Sequence, residues 1–193
     1  MRKITFVALL LLNTASVFGQ KADSLAAIKV KTKNVGGTVM TSTKDIVENI
    51  SLSPEFTKLV STIKAGDLTD SFKSGTITFF APTNSAFDKL APGLLDTLLL
   101  PTHKAALINL LNYHAVSGKI TSKDIERQIK AGNGQATLTT ISGGILTARI
   151  NENRNIVLTD ENGGQSIITR LDIEQSNGVL FIVNGVLLPK AKQ

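Results

Sequence analysis

The sequence predicts an α+β domain, with several short helices in its N-terminal half and an antiparallel meander of strands after them. Three patterns support this class. Between residues 43 and 129, apolar side chains recur mostly at helical spacing. After Gly132 the apolar period changes to two, as in a half-buried sheet. One run of β-branched and aromatic residues, 77–81, places an early strand among the helices.

The elements follow in chain order. Residues 20–42 are predicted to be an extended or mobile lead-in that could hold one edge strand around residues 38–40. A helix over 43–51 precedes a second one that has Ser53 as N-cap and Pro54 at its first helical position. A short turn that carries Leu68 and Phe72 is predicted to open at Asp67 or Thr69, and further helical segments are predicted over residues 84–90, 94–100, 105–111 and 122–129.

The strands of the second half are separated by turn residues. They are predicted over residues 136–141, 145–150, 156–160, 166–173 and 179–183. Residues 160–164 lie between two apolar runs, and they lack the alternating oxygen ligands and the final Glu of a calcium loop. We therefore expect a hairpin turn there, because Asn-Gly between apolar runs is a turn signal.

Composition excludes more activities than it suggests. Of 193 residues 42% are apolar, so a disordered chain is excluded, and the formal charge is +6. The chain has no cysteine, which removes disulfides, thiolate metal sites and a cysteine nucleophile. Its two histidines, His103 and His114, lie too far apart in sequence for a His-x-x-x-His metal motif. We expect no metal and no cofactor.

The first nineteen residues have the layout of a secretory signal peptide. Arg2 and Lys3 precede an apolar stretch over residues 4–12, and small residues precede a cleavage point before Gln20. The stretch is shorter than the roughly 20 apolar residues that a membrane-spanning helix needs. The prediction is a secreted chain, extracellular or periplasmic, with no membrane span after cleavage.

Common catalytic and nucleic-acid signatures are missing from the sequence. No Gly-x-Ser-x-Gly elbow and no phosphate loop occurs, and no pair of carboxylates is marked by its local sequence. Every aromatic residue after the leader falls within an apolar pattern, so no stacking platform for single strands is expected. We therefore predict neither catalysis nor nucleic-acid binding.

Three segments in order resemble the signatures of the fasciclin domain, an extracellular adhesion module. They are the residues 77–87, which contain Ala-Pro-Thr-Asn, the pair Tyr113-His114, and residues 177–189. The resemblance covers residues 43–189 and leaves a tail over 190–193. It implies a twisted antiparallel sheet wedge packed with short helices. It also implies adhesion to a protein or glycan of the matrix or cell envelope.

Most of the motif residues are predicted to be structural. In the first segment Thr83 or Asn84 can cap the following helix. In the last segment Phe181 and Asn184 stand where the family commonly has histidine and aspartate, and Asn184-Gly185 is interpreted as a type I′ turn that leads into residues 186–188. The full structural set is Phe79, Ala81, Pro82, Thr83, Asn84, Phe87, Gly178, Phe181, Asn184, Gly185 and Pro189.

Tyr113 and His114 are the candidate binding residues. The resemblance implies a binding role, because this region is implicated in receptor binding in animal relatives. If the pair lies on a strand, its two side chains point to opposite faces. The alternative is that Tyr113 fills the core with its hydroxyl paired while His114 bonds to a nearby loop.

Two further functions remain open from the sequence. One is a carrier of a small ligand or lipid, held in a cleft between the helices and the sheet. The other is a hydrolase that uses His114 together with carboxylates, a role that lacks any catalytic partner marked by the sequence.

Overall fold

The computed structural model describes residues 29–191. The predicted signal peptide, residues 1–19, and the first part of the lead-in, residues 20–28, lie outside the described residues, as do residues 192–193. Among residues 29–191 no helix is long and apolar enough to cross a membrane.

The helix at Thr69–Lys73 stands where only a short turn was predicted. The other helices lie within a few residues of their predicted positions, and local sequence explains where several of them begin. Asp45 and Thr121 each cap a helix, with Glu48 and Asp124 completing the two capping boxes. The helices are α1 (Ile46–Ser51), α2 (Thr57–Ala65), α3 (Thr69–Lys73), α4 (Asn84–Phe87), α5 (Leu94–Leu98), α6 (Lys104–Tyr113) and α7 (Ser122–Ala131), with 3-10 turns at Pro54–Phe56 and Pro101–His103.

The strands form a seven-stranded sheet and a separate two-stranded hairpin. The hairpin consists of β1 (Thr32–Val35) and β2 (Thr38–Thr41). The sheet contains β3 (Ile77–Pro82), β4 (Ala115–Ser117), β5 (Ala136–Thr139), β6 (Ile145–Ile150), β7 (Ile156–Thr159), β8 (Gln165–Gln175) and β9 (Gly178–Val183). Its order is β4-β3-β9-β8-β7-β6-β5. The predicted α+β class is confirmed.

The sheet is mixed, which corrects the expectation of a purely antiparallel one. β3 and β9 pair in parallel, Ile77 beside Gly178 and Pro82 beside Val183, whereas the other pairs are antiparallel. Both strands are buried along their whole length. A strand that is buried on both faces consists of an almost continuous run of apolar residues. Its sequence therefore does not show whether the neighbouring strand runs parallel or antiparallel to it.

Two apolar cores lie on opposite faces of the central strands. In β3, Phe79 faces the core beneath α1, α2 and α6, while Phe80 faces the core beneath α7 and the meander. β9 divides in the same way, with Leu180 in the first core and Phe181 in the second. The alternation of a strand explains this division, because successive side chains point to opposite faces.

Part of the predicted lead-in packs onto the domain. Val35 and Met40 of the β1–β2 hairpin are buried in the first core. The side-chain amide of Asn49 accepts a hydrogen bond from Thr41 N at 3.1 Å and donates one to Thr41 O at 2.8 Å. The single edge strand expected around residues 38–40 is therefore one arm of a hairpin. Strand β1 and the three-residue β4 were missed because short strands carry little periodic signal.

A buried polar network beneath a surface groove

Tyr113 and His114 lie at the end of a helix and not on a strand. Tyr113 is the last residue of α6, and His114 is its C-cap. The condition under which the two side chains would point to opposite faces, a position on a strand, is therefore not met. The helix predicted over residues 105–111 extends for two further residues, to Tyr113. Both side chains are buried, with exposures of 0% for Tyr113 and 2% for His114.

The hydroxyl of Tyr113 joins two hairpin turns of the meander. It donates to Ile145 O at 2.7 Å and accepts from Glu161 N at 3.1 Å. Burial raises the pKa of Tyr113 to about 12. Gly144 makes room for the ring, because a Cβ at that position would lie 2.6 Å from Tyr113 Cε2. Tyr113 is thus an internal anchor with its hydroxyl paired.

His114 connects α6 to the segment that follows the last strand, residues 184–191, here called the closing segment. Its Nδ1 hydrogen-bonds Leu110 O at 2.9 Å, and its Nε2 lies 3.0 Å from Leu187 N. A carbonyl oxygen can only accept and an amide can only donate, so Nδ1 carries the proton and Nε2 accepts. Burial lowers the pKa of His114 to about 4, which keeps this neutral form dominant at neutral pH.

The turn over residues 160–164 holds the same segment from the other side. Asp160 accepts hydrogen bonds from Leu188 N at 2.9 Å, Gly164 N at 2.8 Å and Asn162 N at 2.9 Å. The side-chain amide of Asn162 donates to Leu188 O at 2.8 Å. These bonds link β7 to β8 by the predicted hairpin turn, and the carboxylate of Asp160 binds amide groups of the chain itself.

In the first motif the polar residues join neighbouring elements. Thr83 caps α4 by accepting from Ala86 N at 3.3 Å. Asn84 instead caps a different helix, because its Oδ1 accepts from Lys58 N of α2 at 3.0 Å while its amide donates to Pro54 O at 2.8 Å. The apolar members of the motif are buried: Phe79, Ala81, Pro82 and Phe87.

In the last motif, Gly178 allows the two central strands, β3 and β9, to pack closely together. A Cβ on Gly178 would lie 1.8 Å from Ile77 O, so the parallel pairing requires glycine there. Phe181, predicted to be structural, stacks on Phe80 with ring centroids 5.5 Å apart. The backbone nitrogen of Gly185 donates to Ser166 Oγ at 2.8 Å. Pro189 is partly buried in the closing segment.

The predicted type I′ turn at Asn184-Gly185 is wrong. Residues 186–188 form no strand, so the chain does not fold back along β9. Asn184 instead pairs with Ile167 of β8: its backbone nitrogen donates to Ile167 O at 3.1 Å, and its Oδ1 accepts from Ile167 N at 2.8 Å. The edge that a hairpin would need is already occupied by β8, and the closing segment turns towards α6.

The closing segment and helices α5 and α6 enclose a surface groove of about 910 Å³. Its apolar lining comes from aliphatic side chains and small residues. These include Leu94, Leu98, Ala105, Ala106, Ile108 and Pro189. Its polar lining consists of Asn109, Asn112, Ser142, Asn162 and Lys190. His114 and Asp160 lie behind this surface and hold the closing segment that forms one wall.

The metal-binding, nucleic-acid-stacking and hydrolase sites considered from the sequence involve side chains within residues 29–191. In that range no group of three or more His, Asp or Glu side chains could hold a metal ion. The aromatic rings there are all buried: Phe56, Phe72, Phe79, Phe80, Phe87, Tyr113 and Phe181. His114, proposed from the sequence for a hydrolase, has both ring nitrogens occupied by backbone groups.

Sequence reasoning missed the groove and the role of Asp160. Asn109 and Asn112 are three residues apart on α6, which places them on one helix face beside Ala105. Two polar residues on one face of an otherwise apolar helix could have indicated this polar part of the surface. No local signal links Asp160 to Leu188, because the bond joins residues that are 28 positions apart.

Comparison with known proteins agrees with this architecture. A family model of the fasciclin domain matches residues 54–189. The chain therefore belongs to the fasciclin domain family.

Individual relatives span most of the chain. Protein sll1483 of Synechocystis sp. is 31% identical over 191 residues, covering 97% of this chain and 96% of that protein. Immunogenic protein MPB70 of Mycobacterium bovis is 29% identical over 146 residues, covering 73% of this chain and 67% of that protein. A FAS1 domain pair from the insect cell adhesion molecule fasciclin I shares the fold, with a TM-score of 0.66, 15% identity and coverage of 84% and 67% of the two chains.

Proposed function

We propose that this chain is a secreted or cell-surface binding module of the adhesion type, which contacts a protein or glycan of the matrix or cell envelope and performs no catalysis. The observation that carries the proposal is the family match over residues 54–189. The fold it shares with a domain pair of an insect cell adhesion molecule supports the same function. The layout of residues 1–19 supports export.

Tyr113 and His114 take an indirect part in this proposal. Because both side chains are buried, a partner docking on this conformation does not touch them. They act as positioning residues: Tyr113 anchors two turns, and His114 holds Leu187 of the closing segment. A substitution at either residue would therefore change the exposed wall of the groove. In this way Tyr113 and His114 affect the binding of a partner that they do not contact.

A retention experiment tests the proposal. The predicted mature chain, residues 20–193, is immobilised and exposed to solubilised envelope and matrix fractions from its own source. Parallel samples are treated with protease or with periodate, which destroy protein and glycan partners respectively. We expect retention that one of the two treatments abolishes. No retention from any fraction, or a turnover found in substrate screens and abolished by His114→Ala, would contradict the proposal.

A further inference from the structure

We propose that the groove between α5, α6 and the closing segment binds a single-chain amphiphile with an anionic head group, such as a fatty acid. This inference goes beyond the adhesion proposal, because it assigns a ligand class to a particular surface. It rests on the distribution of polarity in the groove, on amide groups that lack a partner, and on one charged side chain.

Polarity changes along the axis of α6. At its N-terminal end, Ala105, Ala106 and Ile108 face the groove opposite Leu94 and Leu98 of α5. This end can take a hydrocarbon chain, because burying methylene groups against aliphatic side chains removes them from water.

The other end of the groove carries the polar side chains of its lining. Asn109 and Asn112 occupy the last turns of α6, and Ser142 and Asn162 come from the two hairpin turns beside it. These polar groups lie beside Leu110, Leu188 and Pro189, so the lining has an apolar end and a more polar end. A ligand with a tail and a head fits this order better than one of uniform polarity.

Two amide side chains in the groove have no partner within the described part of the chain. Asn109 and Asn112 are both half-buried, and neither side chain makes a hydrogen bond to residues 29–191. A ligand that covers these amides without bonding to them would pay for their desolvation. A head group with acceptor oxygens satisfies the amide donors, which an unsubstituted hydrocarbon cannot do.

The charge of the lining selects an anionic head. Lys190 is the one charged residue that lines the groove, and its ammonium makes no ion pair with residues 29–191. Its backbone nitrogen donates to Glu161 Oε2 at 3.3 Å, so one exposed carboxylate lies near this end. A carboxylate or phosphate head complements the unpaired ammonium, and Glu161 opposes it.

The size of the groove suits a small ligand. Its volume of about 910 Å³ lies within the roughly 300–1,000 Å³ typical of small-molecule sites. A sugar is less suitable, since sugar-binding surfaces use exposed aromatic rings, and the seven rings among residues 29–191 are buried. An amphiphile needs only aliphatic walls and a polar end, both of which are present.

Fluorescence titration with dansyl-undecanoic acid tests the inference on the predicted mature chain. We expect saturable binding of one probe per chain, displacement by laurate, and at least tenfold weaker displacement by dodecanol, which lacks the anionic head. Ala106→Glu places a bulky charge at the apolar end and should reduce probe affinity at least tenfold. Lys190→Gln should weaken laurate and leave dodecanol unchanged, and Glu161→Gln should tighten laurate.

The controls are matched substitutions on α7, away from the groove. Ala131 and Lys130 are exposed, as are Ala106 and Lys190. Ala131→Glu and Lys130→Gln should therefore bind the probe as the unaltered chain does. Circular dichroism confirms that each variant is folded before its affinity is compared. Wild-type affinity in both Ala106→Glu and Lys190→Gln would overturn the inference, as would the absence of saturable binding.

Vesicles distinguish a free amphiphile from a membrane lipid. Retention on phosphatidylcholine vesicles that contain lysophosphatidylglycerol but not on phosphatidylcholine vesicles alone, lost in Ala106→Glu, assigns the ligand to a single-chain anionic lipid of a bilayer. Laurate binding without vesicle retention assigns it to a free fatty acid. Both results support the shared chemistry. Retention on envelope fractions together with no probe binding would overturn this inference and leave the adhesion proposal standing.

Discussion

The buried imidazole of His114 predicts a specific dependence of stability on pH. In the folded chain, burial lowers the pKa of His114 to about 4, whereas its ordinary value is 6.5. Between these values the unfolded chain binds a proton at this residue and the folded chain does not. The free energy of unfolding therefore rises with pH across this window, and the stability is lost as pH falls from 6.5 towards 4.

The magnitude follows from the two pKa values. Each pKa unit of difference corresponds to about 1.4 kcal/mol, so His114 contributes about 3 kcal/mol between pH 4 and pH 6.5. The physical cause is burial of the imidazole, which removes the charged form of the ring from water; a proton on Nε2 would also face the N–H of Leu187. The nearby carboxylate of Asp160 acts in the opposite direction, favouring the charged ring, but burial is the larger effect.

Urea unfolding followed by circular dichroism from pH 4 to pH 7.5 measures this contribution. His114→Gln removes the titration and keeps an acceptor, so its stability should change with pH by about 3 kcal/mol less than that of the unaltered chain. His103 is exposed, and His103→Gln serves as the matched control. Equal profiles for His114→Gln and the unaltered chain, or an NMR titration of His114 near pH 6.5, would refute the reasoning.

Two further predictions concern the motifs. Asn84→Ala removes the amide that caps α2 at Lys58 N and should lower the free energy of unfolding by about 1–2 kcal/mol in urea, while Asn153→Ala in an exposed turn should change it little. A cost for Asn84→Ala no larger than for Asn153→Ala would argue against the cap. Gly178→Ala puts a Cβ against Ile77 O and should abolish soluble expression or lower the melting temperature strongly, whereas an unchanged melting curve would contradict the close parallel pairing.

Local pattern was sufficient for most elements. The strand predicted over residues 145–150 has the same bounds in the structure, because Leu146 and Ala148 alternate with outward-facing neighbours. The helix predicted from residue 122 begins at Ser122, and Thr121 caps it by accepting a hydrogen bond from Asp124 N. Each of these features depends on residues that lie a few positions apart in the sequence. The sequence alone is therefore sufficient to predict them.

The candidate site was predictable only in part. Tyr113 and His114 were identified from their resemblance to a motif, and burial of Tyr113 with a paired hydroxyl was one of two interpretations, but their position at the end of a helix was not predicted. Burial against a distant segment cannot be derived from neighbours in sequence. Asn112 of α6 and Lys190 line the same groove. Nothing in the sequence around either residue indicates that the two lie close together.

The sequence by itself determined the types of most elements, the cap at Ser53, the inward direction of the aromatic rings and membership in the fasciclin family. Tertiary structure decided the parallel pairing of β3 with β9, the helix that Asn84 caps, and the approach of the closing segment to α6. The reason is the range of the interactions. Helix and strand periods arise within a few residues, whereas His114 meets Leu187 across 73 positions, and only the packing of two cores brings such groups together.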